Sequence, residues 1–217
     1  MRKIILASAS PRRREILQNL GLTFDVVVAD VDETSDERDP SSLCELLAAR
    51  KGNATVEKLR ASGADLTDTL VIASDTVVAA MSGGAIEILG KPRDGEDAAR
   101  MLALLSGRTH RVMSGIWLWM NGVSAVSHDV TEVVFDPLAP DAIERYIATK
   151  EPFGKAGAYA IQGYASSFIA GIQGDYFNVV GLPVHRMCSL FRTAFPKEGE
   201  LIGVDRDRKG EHPSAEG

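Results

Sequence analysis

Two hydrophobic periods alternate along this chain, and their order predicts most of its elements. Ile4-Ile5-Leu6 is a short apolar run that predicts a buried strand, ending in the small residues Ala7-Ser8-Ala9-Ser10. Pro11 then stands where a helix begins, and Ile16, Leu17 and Leu20 share one face of a helix over 11–20 that Gly21 stops. Phe24 to Val28 predicts a strand, followed by the acidic stretch Asp30 to Glu37, expected as a solvated loop. Leu43, Leu46, Leu47, Val56 and Leu59 recur at helical spacing and predict a long helix over 41–61. Leu70 to Ala73 predicts a second buried strand, with Val77 to Ala80 continuing extended beyond Ser74-Asp75-Thr76. Ser82-Gly83-Gly84 marks a turn before a returning strand, Ile86 to Leu89.

Further on, Asp94 caps a helix predicted over 95–105, which Ser106-Gly107 closes. Arg111 to Met120 and Val123 to Phe135 flank Asn121-Gly122, the strongest short signal for a hairpin. A helix is expected at 140–149 and a last amphipathic one at 183–195. Between them, Glu151 to Gly181 is rich in glycine and aromatics and is expected as an irregular, loop-built segment. Strands alternating with helices, plus one long hairpin, predict an α/β fold with a mixed elongated sheet, flanking helices and a cleft. Residues 1–196 are expected to form one domain of two lobes around that cleft. From Lys197 charge mixes with Gly, Pro and Ser without periodicity, so 197–217 is expected to be a disordered tail.

Composition narrows the function classes. The 217 residues are 45% hydrophobic and 25% charged, ordinary values for a globular protein. No apolar run approaches the ~20 residues of a membrane span, and Arg2-Lys3 is followed too soon by Ser-Pro-Arg to act as a secretory signal. Cys44 and Cys188 lie far apart without a C-x-x-C spacing, as expected of buried thiols in a cytoplasmic protein. The formal net charge of −6 argues against a broad nucleic-acid-binding surface, and no stable nucleic-acid or membrane partner is expected. An acidic protein that binds an anion has to gather its positive charge in one place, so each Arg and Lys position carries information.

The first strand-to-helix turn is one such place. Backbone N–H groups, the Ser8 and Ser10 hydroxyls and a helix N-terminus converge there, with Arg12 and Arg13 beside them. Such a spot suits polyphosphate oxygens, although several arginines on a first helical turn also describe a solvated face. Asp75 follows a buried strand, where open α/β sheets bind ligands. It reads either as a metal ligand or general base for water, or as a turn former. Lys91, held in Gly90-Lys91-Pro92, offers a restrained point charge for phosphate, whereas Lys51 on spacing alone is a solvated helix position. In Glu151 to Gly163 the glycines permit close backbone approach to a ligand, and Gln162 presents donors and an acceptor to a base edge. The segment Gly174 to Pro183 reads as architectural. The four histidines lack metal-ligand spacing, and neither a G-x-S-x-G elbow nor a G-x-x-x-x-G-K-[ST] loop occurs.

Taken in order, SASPRR, SDT, GKP, EPFGKAGAYAIQG and GDYFNVVGLP resemble the Maf family of nucleoside triphosphate pyrophosphatases, from Ile4 to about Phe195. The resemblance implies a cleft fold similar to the inosine triphosphate pyrophosphatases. It also implies hydrolysis between the α- and β-phosphates, with a divalent cation, Mg2+ or Mn2+, as cofactor. The family's proton acceptor falls on Asp75. Arg12, Thr76 and Gln162 fall on positions that mark the branch preferring dTTP and UTP. Lys51, Lys91 and Glu33 fall on further site positions, the lysines toward phosphate and Glu33 toward the metal. A homodimer is a family-based expectation. Gly52 departs from the family pattern, where alanine is usual, at a helix cost of roughly 1 kcal/mol; Gly154 replaces a common polar residue. Two rival readings are a catalytically idle nucleotide-binding regulator of cell division, and the same chemistry on modified purine or cytidine nucleotides.

Overall fold

The computed structural model describes residues 2–202. Seven strands form one mixed sheet in the order β2-β1-β3-β5-β6-β7, with β4 pairing β3. The first three elements are β1 (Lys3–Leu6), α1 (Pro11–Asn19) and β2 (Asp25–Val26), and β1 runs parallel to both β2 and β3. Helix α2 (Pro40–Ala61) starts on Asp39, whose carboxylate accepts the Ser42 N–H at 2.8 Å. Then follow β3 (Thr69–Ser82), β4 (Ala85–Leu89), α3 (Gly95–Leu105), β5 (Thr109–Met120) and β6 (Val123–Phe135). Helix α4 (Pro140–Ala148), β7 (Ile169–Gln173), α5 (Tyr176–Val180) and α6 (Val184–Ala194) are the remaining strand and α-helices among the described residues. The hairpin at Asn121-Gly122 forms as predicted, with both residues at positive φ (48° and 86°) as a primed turn requires. Among the described residues no helix is long and apolar enough to cross a membrane.

Four expectations are corrected. The segment 151–181 is not irregular throughout: Ile169–Gln173 pairs with β6 as an edge strand, and Tyr176–Val180 is a short helix. Neither carries much local periodicity, so tertiary pairing makes them. The strand over Phe24–Val28 shrinks to Asp25–Val26, since β1 offers only a short parallel neighbour. The acidic stretch is not simply solvated. Arg50 donates to the carbonyls of Asp32 (3.2 Å) and Thr34 (2.6 Å), and Lys58 to that of Val28 (2.7 Å), strapping it along α2. Finally, the expected tail begins too early. Leu201 is buried in the core with Ile4, Phe191 and Phe195, and Arg2 donates to the Glu198 carbonyl at 2.6 Å. Residues 203–217 of that tail lie outside the described residues.

Strand alternation sends successive β3 residues to opposite faces. One face is covered by α2, over Val71, Ala73, Val77, Ala79 and Trp117. The other carries two separate apolar clusters. Leu70 and Ile72 pack with α1 and α6, whereas Val78 and Ala80 pack with α3 and α4. Between them the apolar alternation is interrupted by Ser74 and Thr76 on β3 and Ser114 on β5. This polar seam, buried at Ser74 and Ser114, is closed by Asn178 of α5. Asn178 Nδ2 donates to the Val112 carbonyl and Thr131 Oγ1, both at 2.9 Å, and its Oδ1 accepts the Ser114 N–H at 3.0 Å. The architectural role expected of the segment around Asn178 is what its buried amide performs.

The α3/α4 cluster also holds a titratable group. His110 is buried, its Nε2 lies 2.8 Å from the Tyr159 hydroxyl, and burial pushes its pKa down to about 4. An unfolded histidine titrates near ~6.5, so the unfolded chain takes up the proton more readily. Stability is full above about pH 6.5 and falls as pH drops toward about 4. We expect His110 to contribute a loss of about 2 kcal/mol between about pH 7.5 and about pH 5. Urea unfolding at both pH values checks this, with His110→Gln losing correspondingly less. An unchanged loss in the variant would place the acid sensitivity elsewhere.

Candidate active site

A cleft of about 790 Å³ opens where the sheet edge is bare. Strand β1 leaves β3 at the Leu6–Ile72 pair, and β4 joins the same edge only at the Leu89–Val78 pair. Residues 73–77 therefore keep β5 on one side and have no strand on the other. Asp75 sits in that gap. The expectation that it lies just past a strand end is corrected: β3 runs unbroken from Thr69 to Ser82, and it is the neighbouring strand that ends. Asp75 points to the α2 face and Thr76 to the polar seam, and both line the cleft.

On the α2 side, Lys51 Nζ contacts Oδ1 of Asp75 and, at 2.9 Å, Oε1 of Glu33. Lys91 Nζ approaches the other Glu33 oxygen at 3.8 Å. Burial opposes ionisation of Glu33, but the Lys51 hydrogen bond and the charges of Lys51 and Lys91 outweigh it and hold its carboxyl below the usual range. Lys51 is thus no solvated helix position. Its pose follows from Gly52, where a Cβ would overlap the Trp117 ring, so α2 lies flat on β5 and aims Lys51 at the cleft. The departure from alanine at Gly52 is a close-packing requirement that offsets its helix cost. Gly115, opposite Asp75 on β5, has the Cys44 carbonyl where its Cβ would be. Cys44 itself is a buried thiol pushed up to about 12 by desolvation.

On the other side, α1 brings Arg12 and Arg13, with Pro11 at its first turn. Arg13 is buried and all three of its donor nitrogens are occupied. Nε donates to the Gly181 carbonyl (2.8 Å), Nη1 to Ser8 Oγ (3.1 Å) and Nη2 to Thr76 Oγ1 (3.0 Å). Ser8 Oγ accepts the Ser10 N–H as well, at 3.3 Å, so this hydroxyl shapes the turn. Ser10 is the N-cap of α1 by position, and its side chain makes no capping bond. Among the described residues Arg12 donates only to the Val180 carbonyl, at 3.4 Å, and it lines the cleft. Burial lowers the pKa of both arginines, opposed at Arg13 by the Asp75 charge; guanidinium groups stay charged regardless.

The third wall is the segment after Lys150. Gly157 (φ 68°) and Ala158 (φ 59°) turn it tightly against Val78, and the left-handed Ala158 is a strained position of the kind that gathers at functional sites. The sequence reading missed Lys155 here. Its ammonium donates to the Glu151 carbonyl, lines the cleft, and is lowered by burial and by the nearby charge of Arg12. A lysine between glycines in a ligand-approach segment was the available signal. Gln162 is not brought to the site: it is exposed, and its neighbour Ile161 lines the cleft instead.

Each of the five ordered motifs thus borders one cleft, the Asn178 segment through Val179 and Val180, whereas Gln162 does not line it. A family model described as "Maf-like protein" matches residues 3–194. The chain belongs to the Maf-like family. Among relatives of this Maf-like chain, a protein of Desulforamulus reducens named "dTTP/UTP pyrophosphatase" is 48% identical over 195 residues, covering 88% of this chain and 96% of that protein. One of the same name from Moorella thermoacetica is 48% identical over 186 residues, covering 85% and 91%. A third, from Bacillus cereus, is 43% identical over 188 residues, covering 86% and 93%. Among solved structures, the Ham1 protein of Staphylococcus aureus aligns at 15% identity and a TM-score of 0.44, covering 62% of this chain and 72% of that one.

Proposed function

We propose that this Maf-like protein hydrolyses the α–β phosphoanhydride bond of nucleoside triphosphates, dTTP and UTP foremost, to monophosphate and pyrophosphate in the cytoplasm. The observation that carries the reading is one carboxylate, Asp75, on a bare strand edge in a cleft lined by Arg12, Lys51, Lys91 and Lys155. The name dTTP/UTP pyrophosphatase, borne by relatives 43–48% identical, supports the bond and the bases.

A divalent cation fits the donor set. Asp75 and Glu33 reach the same ammonium, so their oxygens converge on one point. Among the described residues no group of three or more His, Cys, Asp or Glu forms a metal cage. Magnesium and manganese commonly take one or two carboxylates and complete their shell with substrate phosphates and water. When bound, such an ion lowers the pKa of its water and neutralises phosphate charge. Asp75 accepts the proton of the attacking water. Arg12 neutralises phosphate oxygens from the α1 side, Lys155 from the segment after Lys150, and Lys51 and Lys91 from the α2 side. Arg13 positions Thr76 and Ser8. The branch assignment of Arg12, Thr76 and Gln162 rests on the resemblance, and Arg12 and Thr76 line the cleft.

The intact acidic and cationic set argues against an idle regulator. A panel of dTTP, UTP, CTP and purine triphosphates with magnesium, resolved for products, tests the proposal. We expect monophosphate and pyrophosphate, fastest from dTTP and UTP. Orthophosphate with a diphosphate would show that another bond is cut, and no turnover would favour the regulator.

A further inference from the structure

We infer that Lys51 is a placeholder cation: it occupies the seat between Asp75 and Glu33 and shuts divalent metal out until a metal-bearing triphosphate arrives. The inference rests on the metal reading above and adds an order of events to it. The Lys51 ammonium makes ion pairs to Oδ1 of Asp75 and Oε1 of Glu33, and its side chain is only 17% exposed. Among the described residues Lys51 is the sole side chain bonded to the Asp75 carboxylate. A metal taking these two carboxylates would therefore meet a positive charge already in place.

The backbone beneath Lys51 does not offer an escape. Gly52 is pressed onto the Trp117 ring and the neighbouring turns of α2 are buried against the sheet, so any movement has to come from the lysine stem. That stem is flexible, and its ammonium binds phosphate well as a point charge. Arrival of a metal alone would expel the ammonium with nothing to receive it. Arrival of a metal with a triphosphate brings both the cation that replaces Lys51 and the anion that takes it. Charge stays paired throughout the exchange. Lys91 is no substitute, since it lies at 3.8 Å from Glu33 and its side chain is 61% exposed.

The test is Mn2+ binding without nucleotide, followed by the electron paramagnetic resonance of free Mn2+. Wild type is expected to bind Mn2+ weakly. Lys51→Met, similar in length and a good helix former, should bind it at least about tenfold tighter, because a repelling charge a few ångströms away is gone. Lys51→Gln provides the same neutral test if the methionine variant folds poorly by circular dichroism. Lys51→Arg, which keeps the charge, should stay near wild type, and Lys51→Met with Glu33→Gln should lose the gain. Neutral variants that bind Mn2+ no tighter than wild type would overturn the placeholder role, as would a gain that survives Glu33→Gln. The product panel reads the cleaved bond independently, so it can succeed while this measurement fails.

Discussion

Asp75→Asn is expected to lower kcat for dTTP and UTP by roughly 10²–10⁴-fold, the usual range for loss of a general base. The substitution keeps the shape of the side chain, and the amide oxygen it introduces can still accept a hydrogen bond from Lys51. Asp75 lies in the centre of β3, paired with Gly115 on β5, so the backbone that presents it is held by the sheet rather than by the carboxylate. The melting temperature should therefore change little while turnover collapses. Nucleotide binding, read by fluorescence or calorimetry, should persist because Arg12, Lys91 and Lys155 are untouched. A variant retaining more than about a tenth of native turnover would mean that Asp75 serves chiefly as a counter-ion for Lys51.

The second large effect is on stability as well as activity. Arg13→Lys keeps the charge but cannot reach Gly181, Ser8 and Thr76 together, since an ammonium on a flexible stem lacks the guanidinium fork. Each acceptor keeps a second partner (Ser74 for Gly181, Ser10 for Ser8, Ser114 for Thr76), so the cost is that of the lost charge-assisted bonds, about 1.5–3 kcal/mol for each of two. For a domain of this size the melting temperature should fall by roughly 5–15 °C. Turnover should fall too, because Thr76 and the turn at Ser8 lose their anchor. Arg12→Lys is the contrast: its single backbone bond is long, so stability should hold within about 0.5 kcal/mol while affinity for triphosphate weakens. Calorimetry of both variants decides the matter. An Arg13→Lys protein as stable as wild type, with activity lost, would make Arg13 a phosphate ligand and not a positioning residue.

That contrast shows where the sequence runs out. Arg12 and Arg13 are adjacent and chemically alike, and nothing local separates a guanidinium that faces the cleft from one that braces the fold. Their separation is made by Gly181, whose carbonyl accepts from Arg13 and from Ser74, 2.9 Å from Ser74 Oγ. Lys51 is the same case. Helical spacing alone places it among solvated positions, whereas the close contact of Gly52 with Trp117 turns it toward two carboxylates. Gln162 differs again: its amide suits a base edge, yet its side chain is exposed and does not line the cleft.

What the sequence determined by itself was local. Helices α2 and α3, the hairpin at Asn121-Gly122 and the buried strands follow from periodicity, the capping carboxylate at Asp94, and turn residues that tolerate positive φ. The ordered motifs likewise name Asp75 and most of the cations that surround it. Only the tertiary structure decided that Asp75 stands mid-strand on a bare edge, that Arg13 is braced, that Lys51 bridges Asp75 to Glu33, and that β7 and α5 exist at all. The reason is physical. Capping, turns and periodicity act within a few residues, but a strand edge is open or closed according to where β1 departs and β4 arrives. Those two events, at Leu6–Ile72 and Leu89–Val78, join positions 66 and 11 residues apart, and no short window of sequence contains the first of them.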